Sequence, residues 1–129
     1  MTVATLPNLL SPAQPNPTAN DELIELFLAY LRAEKGLAPN TVESYRYDLI
    51  QLSKFLGEKQ FVSARCEDLR SHVGQLLSTV SARSAARKVV IFRQFFKFLL
   101  MDRLVAVDPM LRVESPKGWK YRKNKNQFF

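Results

Sequence analysis

Two stretches of the sequence hold polar side chains at a spacing that could form a binding surface. In the first, such side chains recur at intervals of three and four residues, with Arg46 and Tyr47 beside them: Thr41, Ser44, Asp48 and Gln51. The second stretch groups basic and hydroxyl side chains: Arg83, Ser84, Arg87 and Lys88. Hydroxyl groups can bond phosphate oxygens or base edges, arginine can pair with guanine, and lysine can neutralise a phosphate. Spacing alone favours a nucleic-acid contact and an ordinary solvated helix face about equally.

Catalytic or metal chemistry has little support in the sequence. The four glycines are isolated from one another, so there is no glycine-rich phosphate loop. His72 is the only histidine and Cys66 the only cysteine, which is too few for a zinc site or a serine–histidine–acid set. Glu67 and Asp68 are adjacent, so on a helix they point apart and form no acid–base pair. We therefore predict no catalytic residue, no metal site and no cofactor.

Positive charge is concentrated in the second half of the chain. The net charge is +7, yet residues 21–70 hold 9 acidic and 7 basic side chains. Residues 71–129 hold 12 basic and only 3 acidic side chains. This separation favours a polyanionic partner over a charge that merely keeps the protein in solution.

Helices should position these residues, because apolar side chains recur every three or four positions over most of the chain. We expect four helices, over about residues 20–36, 41–56, 67–79, and from 81 or 83 to 101. Asn20 and Asn40 are predicted to cap the first two helices at their N-termini. Gly36 and Gly57 are predicted to end them.

The predicted fold is all-α, a compact bundle of four helices plus a short fifth that begins at Asp108-Pro109. Residues 1–19, with four of the seven prolines and no charge, are predicted to be a disordered leader. Residues 20–116 would form the domain and residues 117–129 a basic tail. The predicted inward faces contain these residues: Leu23, Phe27, Tyr30, Leu31, Val42, Tyr45, Leu49, Leu52, Leu56, Leu69, Val73, Leu76, Leu77, Ala85, Val89, Phe92, Phe96, Leu99 and Leu100.

Three segments in the same order resemble the N-terminal part of Xer-type tyrosine recombinases, a branch of the phage integrase family. Residues 24–56, IELFLAYLRAEKGLAPNTVESYRYDLIQLSKFL, resemble its opening, with E-K/R-G-L, then N-T, Y-R-x-D-L and F-L. Residues 81–100, SARSAARKVVIFRQFFKFLL, resemble its S-x-R-S-x-A-R helix with F-F-x-F-L. The D-P at 108–109 and the S-P-K at 115–117 match its interdomain linker. The resemblance covers about residues 21–120.

The resemblance implies the family's core-binding, or SAM-like, domain, an all-α domain that forms one arm of a C-shaped clamp. Its second and fourth helices lie against a recombination half-site in double-stranded DNA. Carried onto this chain, DNA contact falls to nine residues: Asn40, Thr41, Ser44, Tyr45, Arg46, Arg83, Ser84, Arg87 and Lys88. Asp48 also matches the motif, and Tyr45 lies on the predicted core face as well.

The family's catalytic residues belong to a second domain, which follows the linker. They are two arginines, a lysine, histidines and the tyrosine that links to DNA, and no residue of this chain inherits such a role. Tyr121, at the linker edge, is not that nucleophile. The resemblance implies that full-length relatives assemble as tetramers on two DNA sites, often to resolve chromosome dimers. We expect this chain to be a non-catalytic DNA-binding domain.

Three other interpretations stay open at this point. The chain could be a helical protein-interaction module without DNA specificity, an enzyme in its own right, or an unspecific nucleic-acid binder that relies on its basic tail. Its lone cysteine, Cys66, excludes an internal disulfide and fits a reducing compartment, so we expect a cytoplasmic protein with a buried free thiol. No apolar run is long enough to span a membrane.

Overall fold

The computed structural model describes residues 19–116, and all regular structure in that range is helical. The four predicted helices are confirmed, without a strand in the described residues. They are α1 (Asn20–Tyr30), α2 (Pro39–Leu56), α3 (Cys66–Leu77) and α4 (Ala82–Met101). A π-helical turn, Leu31–Lys35, extends α1, and a 3-10 turn, Phe61–Ser63, precedes α3. No helix among these residues is long and apolar enough to cross a membrane.

Both predicted asparagine caps are wrong, because α1 begins at Asn20 itself and α2 begins at Pro39, one residue before Asn40. The N-cap of α1 is Ala19 and that of α2 is Ala38. Pro39 takes the first position of α2, where its fixed φ suits a helix and its missing N–H is not needed. Asn20 instead accepts a hydrogen bond from the backbone N–H of Phe61 (2.8 Å) and donates one to Ser53 Oγ (2.9 Å). It therefore ties α1 to α2 and to the 3-10 turn.

The two glycines predicted to end the first two helices do so in the structure. Gly36, with φ at 63°, follows the π-helical turn, and Gly57, with φ at 69°, follows α2. Both lie in the left-handed half of backbone space, which glycine enters without a steric penalty. The fourth helix starts at a side-chain cap, where the backbone N–H of Ser84 donates to Ser81 Oγ at 3.1 Å.

The predicted short fifth helix is wrong: residues 109–112 form turns. Asp108 still caps the first turn, since its carboxylate accepts a hydrogen bond from the backbone N–H of Met110 at 2.8 Å. After these turns, Arg93 on α4 donates to the Val113 carbonyl (2.8 Å) and to Ser115 Oγ (3.1 Å). These bonds and the burial of Met110 and Val113 hold the segment against the bundle, in place of a further helical turn.

Phe95 lies at the centre of the core and joins three elements. Its ring meets Phe27 of α1, Phe61 of the 3-10 turn and Phe96 of α4 edge to face, with centroids 5.4, 4.8 and 5.2 Å away. Two predicted core residues are wrong, since Leu77 is 46% and Leu100 38% exposed. The others are buried or half-buried. The Cys66 thiol, predicted to be buried, is half-buried at the start of α3.

Candidate nucleic-acid interface

An open groove of about 650 Å³ lies between the N-terminal halves of α2 and α4. It contains seven of the nine residues that the sequence assigned to DNA contact: Asn40, Thr41, Ser44, Tyr45, Ser84, Arg87 and Lys88. Four further residues complete its lining: Tyr47, Asp48, Val90 and Ile91. We call these eleven residues the α2–α4 groove. Two stretches that are 40 residues apart in sequence thus form one surface.

Helical periodicity explains why these side chains converge. Residues 41, 44, 45 and 48 lie three and four positions apart and share one face of α2, while Val42, Leu49 and Leu52 on another face are buried in the core. On α4 the same spacing groups residues 84, 87, 88 and 91. The core side chains of both helices therefore fix the two polar faces side by side.

Arg46 does not reach the groove. Its guanidinium holds Glu25 of α1 through two hydrogen bonds, at 2.9 and 2.8 Å, and also pairs with Glu43. The hydrogen bonds that Arg46 donates to these two carboxylates raise the pKa of Arg46, and the bonds that Glu25 accepts lower the pKa of Glu25. Arg46 therefore links α1 to α2, and the carboxylates of Glu25 and Glu43 already compensate its positive charge.

Arg83 also lies outside the groove, exposed one turn before Arg87 on α4. Arg87 is different, because it lines the groove and is exposed. No carboxylate of residues 19–116 forms a salt bridge with it. Its guanidinium thus offers a full positive charge and several donors to a ligand in the groove.

Lys88 and Asp48 form an ion pair across the groove floor. Lys88 Nζ lies 2.6 Å from Asp48 Oδ1, and the Asp48 side chain is only 7% exposed. The sequence placed Asp48 on a polar stripe of α2 that faces either solvent or a ligand, whereas the structure buries its side chain. A buried carboxylate needs a charged or hydrogen-bonding partner, and Lys88 supplies one. Lys88 Nζ also lies 5.9 Å from the centroid of the Tyr47 ring.

His72 is buried, with its ring centroid 4.9 Å from that of Phe55 and 5.5 Å from that of Phe92. Burial lowers its pKa, and the nearby positive charge of Lys88 lowers it further, against the opposing effect of Asp48. The imidazole is therefore neutral at physiological pH and out of contact with solvent. Among residues 19–116 no three histidine, cysteine or acidic side chains come together as a metal site.

The groove can thus bind a polyanion but offers no reacting pair. Asn40, Thr41 and Ser44 bring an amide and two hydroxyls, none of them engaged in a side-chain hydrogen bond with another described residue. Together with Arg87, these groups fit phosphate oxygens and base edges. Tyr47 and Asp48 were not assigned as site residues from the sequence, although both lie inside its Y-R-x-D-L motif.

Comparison with known proteins gives a consistent family. Residues 24–102 match the family described as "Phage integrase, N-terminal SAM-like domain". The chain is 32% identical over 103 residues to the tyrosine recombinase XerC of Myxococcus xanthus, covering 78% of this chain and 34% of that protein. It is 36% identical over 99 residues to the tyrosine recombinase XerD of Bradyrhizobium diazoefficiens, covering 74% and 31%. No solved structure matches the chain. The chain spans about a third of the length of these curated relatives.

Proposed function

The chain belongs to the phage integrase N-terminal SAM-like domain family, and from this premise we propose that it is the DNA-binding arm of a site-specific tyrosine recombinase. In this role it grips duplex DNA at a recombination half-site and contributes no catalytic group of its own. The groups that cut and rejoin DNA would belong to another domain. The matched relatives are named tyrosine recombinases, and the match lies in a third of their length.

The observation that supports this proposal most is the composition of the α2–α4 groove. It combines hydroxyl and amide groups with Arg87, whose charge no described carboxylate compensates. The start of α4 also lies there, and its first backbone N–H groups favour a negative ligand. Thr41 and Ser44 on the opposite wall could bond the same DNA strand.

For the full-length protein we propose a wider assembly. Four protomers on two DNA sites would bring the cleavage chemistry together, and chromosome dimer resolution is the biological use we infer. The names of the relatives, XerC and XerD, support the recombinase role. The bacterial cytoplasm, where chromosomal DNA lies, is the compartment we propose. Crosslinking of the full-length protein on paired sites would yield tetramers under this proposal, and monomers alone would contradict it.

We expect Arg87→Ala to leave the fold intact, because Arg87 is exposed and fills no core volume. If its guanidinium meets a base edge, specific binding should weaken by about 1–3 kcal/mol. The ligand is a duplex selected from a random library by the unaltered chain, and affinity is measured by fluorescence anisotropy. Arg87→Lys keeps the charge but not the two-point pairing, so it should retain the salt dependence and lose the preference for the selected duplex.

Lys97→Ala is the matched control, since Lys97 is an exposed cation on the same helix, away from the groove. Arg93 would be a poor control, because its side chain holds the segment around Val113. Lys97→Ala should weaken binding much less than Arg87→Ala. Equal and small losses from the two substitutions would mean that the charge acts diffusely, and the α2–α4 groove would not be the DNA site.

A further inference from the structure

We infer that Tyr47, rather than Lys88, contacts DNA in the α2–α4 groove, donating a hydrogen bond from its phenol to a phosphate oxygen, while Lys88 holds the tyrosine in place. The inference rests on the proposed function, and it divides the roles of two neighbouring side chains. Sequence reasoning assigned the contact to Lys88 and left Tyr47 out of the site.

Lys88 is already committed to a partner. Its ammonium lies 2.6 Å from Asp48 Oδ1, and its side chain is 22% exposed. To reach a phosphate it would have to leave a carboxylate that is 7% exposed without a counter-charge. Proteins avoid such a state, because an unpaired buried charge is strongly unfavourable. The pair as a whole carries no net charge toward the groove.

Tyr47 is available where Lys88 is not. It lines the groove, is 62% exposed, and makes no hydrogen bond to another described residue. The Lys88 ammonium stands 5.9 Å from its ring centroid, within the range at which a cation is attracted to an aromatic face. The ammonium of Lys88 thus pairs with the buried carboxylate of Asp48 and also attracts the Tyr47 ring. Tyrosine hydroxyls are regular donors to DNA phosphates.

A neutral hydrogen-bond donor and a cation affect the salt dependence of DNA binding differently. A lysine that neutralises a phosphate releases a counterion, so its loss reduces the log–log salt slope by about one. A phenol releases none, and its loss weakens binding at every salt concentration alike. Lys88 as a positioning residue should therefore change affinity without changing the slope.

The test uses the full 129-residue chain and a random-sequence duplex, with affinity measured over a salt series. Tyr47→Phe removes only the hydroxyl of an exposed ring and should weaken binding about 5- to 10-fold, with an unchanged slope. Lys88→Met in the Asp48→Asn background removes both charges of the pair, so that no buried carboxylate is left unpaired. Its slope should also equal that of the unaltered chain, and adding Tyr47→Phe should then cost less than Tyr47→Phe alone.

Two results would overturn the inference about Tyr47 and Lys88. A slope smaller by about one in the Lys88→Met, Asp48→Asn chain would mean that Lys88 neutralises a phosphate, and the inference would be wrong. Unchanged affinity of Tyr47→Phe would also overturn it. Both results would leave the proposed function intact, provided that the unaltered chain binds with a steep slope. Failure of the unaltered chain to bind duplex DNA would overturn the proposed function and this inference together.

Discussion

Raising the salt concentration from 50 to 200 mM should weaken binding of the chain to random duplex DNA by about 250- to 4,000-fold. This range corresponds to a slope of roughly −4 to −6 when the logarithm of the binding constant is plotted against the logarithm of the salt concentration. The structure indicates which cations can contribute. Arg46 and Lys88 are paired with acids, which leaves Arg83 and Arg87 near the groove. Residues 117–129 add five more basic side chains by sequence. About five to seven neutralised phosphates would give this slope.

Removal of residues 117–129 is the matched control for this slope. The five cations of the tail are then lost, and a slope of about −2 should remain from Arg83 and Arg87. Because phosphate contacts carry no sequence information, affinity should fall equally for random and selected duplexes. A flat salt response of the unaltered chain would instead favour the protein-interaction interpretation, in which contacts survive at high salt.

Phe95→Ala should destabilise the fold by about 3–5 kcal/mol, a large share of the stability of a domain this small. Phe95 is fully buried and contacts rings from α1, the 3-10 turn and α4, so its loss leaves a cavity that no single helix can close. Urea unfolding followed by circular dichroism measures the change. Leu77→Ala is the control, because Leu77 is 46% exposed despite its place in the apolar pattern.

The Leu77 control should cost less than about 1 kcal/mol. A loss for Leu77→Ala as large as that for Phe95→Ala would contradict the packing of α3 described above. It would instead support the inward position that periodicity alone predicts for Leu77. The two substitutions together therefore test the core without any assumption about DNA.

The helices could be predicted because their signals are local. Repeating apolar positions, glycines after α1 and α2, and a serine before α4 each act within a few residues. Asn20 was misassigned because its partners, Ser53 and Phe61, are distant in sequence. A residue that resembles a cap can make tertiary hydrogen bonds instead, and only the packed structure distinguishes the two.

The sequence could predict which helix faces form the site, but not which charged side chains of the site are paired with each other. Periodicity and family resemblance brought Thr41, Ser44 and Arg87 to one groove, since residues on a helix face move together. Neither signal indicates that Asp48 is buried or that Lys88 is its partner. Pairing across 40 residues depends on the distance between α2 and α4, which no local pattern encodes.

The central claim, that duplex DNA binds in the α2–α4 groove, is tested most directly by following backbone amide NMR signals during titration with a duplex. We predict that the largest shifts lie within residues 40–48 and 84–91, with small changes along α3. Such a pattern would place DNA against the two helix faces that line the groove. Shifts confined to residues 117–129, or to the acidic face of α1 around Asp21 and Glu22, would contradict the claim.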